Sequence, residues 1–94
     1  LNLTRFGRMR LNFLKEHHKI IYTNMLTNNT LNEHLQSIDD EANQLYDKLI
    51  DDHKKKRNIT EELKEKNQLE WIQEMNNLEN CVMEVILIEV IYSL

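Results

Sequence analysis

Apolar residues recur along this chain at intervals of three and four, the spacing that lines one side of an α-helix. The clearest run is Leu31, Leu35, Ile38, Ala42, Leu45 and Leu49, a seam with a 3.5-residue period of the kind found in coiled coils and antiparallel bundles. A second seam follows at Trp71, Met75, Leu78, Val82 and Val85. Leu69, Ile72, Met83, Ile86 and Val90 make another apolar stripe on that same segment. From Val82 onward apolar residues fall nearly all round the helix, which predicts burial on several sides.

The pattern predicts four helices, approximately 5–17, 19–27, 31–56 and 60–92. Phe6, Met9, Phe13 and His17 form the inward side of the first, and Ile21, Tyr22, Met25 and Leu26 that of the second. Thr4, Thr30 and Thr60 stand where N-caps belong, and Ile59 can fold back on Leu63 as a staple. His17-His18-Lys19 marks the first joint, Asn28-Asn29-Thr30 the second, and Asn58 the third. Lys54-Lys55-Lys56-Arg57 closes the third helix with the charge its dipole favours. Two matching seams joined by a turn at Asn58 fold back as an antiparallel hairpin. The expectation is an all-α, single-domain small helical bundle, two short N-terminal helices packed on a long antiparallel helical hairpin. With 94 residues, one Gly and no Pro, neither a second domain nor a β-hairpin framework has a signal.

Candidate chemistry adds little to this picture. Adjacent His17 and His18 diverge by about 100° on a helix, and His34, His53 and Cys81 fit no standard ligand spacing. Glu84 and Glu89 interrupt the apolar end without sharing a face or having a nucleophile nearby, so they are expected to reach solvent or meet Arg8 or Arg10. The reading is therefore non-enzymatic, with no catalytic residue, metal, cofactor or small-molecule substrate. The single Cys81 suits a reducing compartment, and the cytoplasm is the expected location. The run Val85–Ile88, bounded by glutamates, is far too short for a membrane span of about 20 residues. Leu1, Leu3 and Phe6 are isolated and followed by Arg8 and Arg10, which gives no signal-peptide pattern.

Charge is distributed in blocks. Residues 1–19 carry +4, residues 20–53 carry −6, Lys54–Arg57 carry +4 and residues 59–94 carry −6, for a net charge of −4. Arg5, Arg8, Arg10, Lys15 and Lys19 form the one N-terminal cluster that could meet phosphates or an acidic partner. Glu33, Asp40, Asp47 and Asp51 define an acidic face opposite the third helix's seam. Val82, Val85, Ile86, Ile88, Ile91 and Tyr92 give a C-terminal apolar surface able to contact a protein, should the short helices leave it uncovered.

Several stretches resemble the TnpV family of small transposon-encoded proteins. They are Gly7-Arg8-Met9-Arg10, Leu14-Lys15-Glu16-His17 and Thr60-Glu61-Glu62-Leu63-Lys64. The most specific is Gln68-Leu69-Glu70-Trp71-Ile72-Gln73-Glu74-Met75-Asn76, followed by Glu89-Val90-Ile91-Tyr92. The resemblance implies a mobile-element accessory protein and carries over no catalytic residue. Family members often have basic residues where this chain has Gln73-Glu74 and Leu78-Glu79-Asn80, and Pro in place of Lys19. The expected function is binding through helix faces to a protein: a second copy, a recombinase or a nuclease. The alternative is a DNA-binding accessory factor for excision or transcription that uses the basic N-terminal segment.

Overall fold

In the computed structural model, which describes residues 2–93, the chain is an all-helical bundle measuring 55 × 21 × 18 Å. Its elements are α1 (Arg5–His17), α2 (Lys19–Thr27), α3 (Leu31–Arg57), α4 (Glu61–Lys66) and α5 (Gln68–Ile86), followed by a π-helical turn, Leu87–Ile91. The turn closes with a bond from the Tyr92 N–H to the Leu87 carbonyl at 2.8 Å. α3 is the spine. α1, α5 and the π-turn pack on it, while α2 rests on α1 and the start of α3. Both α1 and α5 run antiparallel to α3: Gly7 meets Asp39 and Arg10 meets His34, while Arg57 approaches Cys81 and the Arg10–His34 pair adjoins Ile91.

The joints follow from local chemistry. Asn29 and Asn58 adopt the left-handed conformation with φ of 58° and 54°. In each case the next residue's N–H reaches back to the last full turn, Thr30 to Met25 and Ile59 to Lys54, closing a Schellman-type cap. His18 breaks α1 from α2 at φ −139°, ψ 58°. The Thr60 hydroxyl accepts from the Leu63 N–H and starts α4 as the sequence implies.

Four expectations are corrected. The helix foreseen over 60–92 is broken at Asn67 (φ −148°, ψ 87°), because its side chain accepts from the Glu70 N–H and starts a new helix. The short α4 therefore folds against α5 and touches no other element. Thr4 does not cap α1, and Thr30 does not cap α3; the Thr4 hydroxyl donates to Asp39 and that of Thr30 to the Met25 carbonyl. On α1 the buried line is Phe6, Gly7, Arg10 and Leu14, with Met9 and Phe13 at its edge and His17 in solvent. On α2, Ile21, Tyr22 and Met25 pack on Leu14, Leu31 and Leu35, but Leu26 faces out.

The core has two parts. Leu14, Leu31 and Leu35 hold the α1–α2–α3 end. Phe6, Ala42, Val82, Ile86, Val90 and Ile91 fill the layer between α1, α3, α5 and the π-turn. Gly7 sits where the chain before α1 folds back, so a Cβ there would meet Leu3 Cδ2 at 2.8 Å and its Cβ at 3.1 Å. Gly to Ala inside a helix ordinarily gains about 1 kcal/mol. Here the overlap with Leu3 offsets that gain, and Gly7→Ala is expected to lower the melting temperature by a few degrees in a thermal melt followed by circular dichroism. A higher melting temperature would show that Leu3 moves freely.

Candidate functional site

Two charged side chains that the apolar pattern leaves out of account organise the polar interior. Asp39, on α3, is only 2% exposed. Its carboxylate accepts from the Thr4 hydroxyl, from the Thr4 N–H at 3.2 Å and from the Gly7 N–H at 2.9 Å. Those backbone donors come from the N-cap residue of α1 and from its first turn, so Asp39 serves as an N-cap delivered from another helix. Burial pushes its pKa up, but the hydrogen bonds from Thr4 and Gly7 and the field of Arg8 outweigh this and hold it below the ordinary carboxylate value.

Arg10, 5% exposed, binds the opposite end of the same layer. One terminal nitrogen donates to the Ile91 carbonyl at 2.9 Å and also to the Ser93 carbonyl, while Nε donates to His34 Nε2 at 3.2 Å. A single guanidinium thus ties α1, α3 and the end of the π-turn together, supplying the positive charge that unsatisfied C-terminal carbonyls favour. His34 must be neutral to accept that bond. Its pKa is lowered, first by burial and then by the neighbouring Arg10 charge.

These contacts decide where the sequence-predicted residues stand. Arg10 is corrected from a surface cation to an internal cap, because it is 5% exposed and donates to the Ile91 and Ser93 carbonyls and to His34. Arg5 remains exposed, with its guanidinium 4.9 Å from the Phe6 ring centre and 5.1 Å from that of Tyr46. Arg8 donates to the Thr4 carbonyl, Lys15 lies over Tyr22, and Lys19 is in solvent. Of the C-terminal set, Val82, Ile86 and Ile91 are core and Val85 is half-buried, which corrects them from surface contacts. Ile88 (72% exposed) and Tyr92 (51%) do face out. Glu33, Asp40, Asp47 and Asp51 are all exposed along α3; Asp51 pairs with Lys55 at 3.0 Å and Gln36 donates to Asp40. Glu84 and Glu89 reach solvent, and the arginine foreseen for them turns to carbonyls instead.

At the closed end of the bundle, Tyr92 stacks at 5.2 Å from Phe13, which also meets His18 at 4.8 Å and His17 at 5.9 Å. Beside this cluster lies an open groove of about 440 Å³ lined by Met9, Asn12, Phe13, Glu16, His17 and Tyr92. Among the described residues no three His, Cys, Asp or Glu side chains come together as metal ligands would. Nor, among those residues, is any helix long and apolar enough to cross a membrane.

What these features define is a small α-helical protein whose buried polar residues, Asp39 and Arg10, tie its helices together. The chain belongs to the TnpV family: the model of that family, described as transposon-encoded protein TnpV, matches residues 1–91. No curated protein and no solved structure matches it.

Proposed function

We propose that this transposon-associated chain is a non-enzymatic accessory protein that works by recognising another protein through its helix faces. The observation that carries this reading is the surface at the closed end, where exposed Tyr92 lines an aromatic groove and Ile88, four residues before it on the π-turn, is exposed as well. The polar lock of Arg10 holds the π-turn that presents both residues. The acidic face of α3, with Glu33, Asp40, Asp47 and Asp51, complements the basic surfaces with which recombinases and nucleases grip DNA. Binding there would assist or block such an enzyme.

The test is co-elution of the purified chain with the recombinase encoded on the same element. Ile88→Asp and Tyr92→Asp are expected to abolish co-elution while leaving the helical circular dichroism spectrum intact. Co-elution that survives both substitutions would remove this surface from the reading. The second reading, DNA binding, rests on Arg5, Arg8, Lys15 and Lys19, which stay exposed after Arg10 is withdrawn. It predicts duplex binding that weakens steeply from low to physiological salt and drops in Arg8→Glu; fluorescence anisotropy of a labelled duplex separates the two readings.

A further inference from the structure

Arg10 holds the C-terminal turn to the bundle, and one of its acceptors is titratable. Its guanidinium donates to the Ile91 and Ser93 carbonyls on one side and, from Nε at 3.2 Å, to Nε2 of half-buried His34 on the other. The imidazole accepts only while Nε2 carries no proton; once protonated it becomes a donor, and two cations stand in contact. Because Arg10 is 5% exposed, its guanidinium gains little water unless the turn moves.

The charge acting on His34 is that of Arg10, from α1. The turn presents two carbonyls. α2 brings Ile21, Tyr22 and Met25 to this end of α3, with the ammonium of Lys15 over the Tyr22 ring. On α3 itself the neighbouring Glu33 is exposed. Among the described residues no carboxylate pairs with His34 to offset an added charge. Burial and Arg10 both lower its pKa while the turn is docked, so the form with the turn released takes the proton more readily.

We propose that Arg10 and His34 form a latch that acid opens: a proton on Nε2 of His34 removes an acceptor of Arg10, and the π-turn with Tyr92 and Ser93 lifts from the bundle. Val90 and Ile91, 4% and 0% exposed, then withdraw from the layer of Phe6, Val82 and Ile86. Tyr92 leaves Phe13 and takes one wall of the groove with it. The opening is local, since Leu14, Leu31, Leu35 and the Asp39 cap hold α1 to α3 without the turn. The latch needs no partner and acts whether or not one docks at Ile88 and Tyr92.

Amide hydrogen exchange of the whole chain at about pH 7.5 and about pH 5.5, either side of the ordinary histidine value, tests the latch. Protection factors remove the intrinsic effect of pH on exchange. Protection of the π-turn amides, Tyr92 included, is expected to fall several-fold, up to the roughly tenfold that one histidine allows over this interval. Amides of α3 around Ala42 stay far better protected at both values. His34→Gln, whose side-chain oxygen accepts from Arg10 at either pH, abolishes the fall. His34→Lys fixes the cation and leaves the turn poorly protected throughout. The double variant His17→Gln, His18→Gln, at the Phe13 cluster beside the turn, retains the fall. Unchanged protection in the parent chain would overturn the latch, as would a fall that persists in His34→Gln or vanishes in the double variant, or a well-protected turn in His34→Lys. Equal protection of the turn and α3 would overturn it too, because the turn would then leave only when the whole chain unfolds.

Discussion

Arg10→Met lowers the stability of the folded chain by about 2–4 kcal/mol, because the buried carbonyl of Ile91 and the part-buried one of Ser93 lose a charged donor and His34 loses its partner. For a domain of this size that corresponds to a fall in melting temperature of more than about 10 °C. Methionine keeps much of the length and apolar volume, so the loss reports the hydrogen bonds rather than a cavity. Arg10→Lys restores the charge but not the planar fork, and is expected to recover less than half. Amide hydrogen exchange localises the effect: the N–H of Tyr92, which closes the π-turn, exchanges faster while those of α3 change little. A melting temperature within a degree or two of the parent would show that other donors cap the turn.

Asp39→Ala is the second large loss, about 2–3 kcal/mol, since it leaves two backbone N–H groups and a hydroxyl at the start of α1 without their acceptor. Its pH dependence has a definite sign. The folded pKa of Asp39 is depressed, so its contribution is present above the unfolded value of about 3.9 and is lost as pH falls below it. His34 acts in the same direction in a higher window. Its folded pKa is also depressed, so the folded state binds the proton less well than the unfolded chain, and stability declines as pH falls below about 6.5. Urea midpoints measured from pH 7.5 to pH 3 should therefore fall in two phases. Asp39→Asn removes the lower one and His34→Gln the upper. A single phase unchanged by His34→Gln would mean that the histidine charges freely in the folded chain.

Much of the architecture is legible from spacing. The seam of α3, the joints at His18, Asn29 and Asn58, and the Thr60 cap all depend on neighbours within a turn or two, and such interactions are written locally. The break at Asn67 is also local, but the helix-compatible Glu61–Lys66 run before it and Gln68-Leu69-Glu70 after it hid an Asn acting as a cap. The site was less legible. Arg10 falls between Phe6 and Leu14 on the buried line of α1, a position that could have marked it as internal. Its charge and its neighbours Arg5 and Arg8 instead suggest a surface cluster. Asp39 likewise reads as one more acid in a block of −6.

Alone, the sequence determined an all-helical TnpV chain with two helical seams, because apolar period and capping act through nearest neighbours. Tertiary structure decided which charges are internal and which apolar residues remain outside. Arg10 and Asp39 are buried because their partners, the end of the π-turn and the first turn of α1, lie 81 and 32 residues away in the chain. Ile88 is exposed and Ile91 is core because a π-turn rotates the last residues away from the α-helical phase on which the pattern rests. No periodicity along the chain encodes either fact; each is settled only when the helices dock.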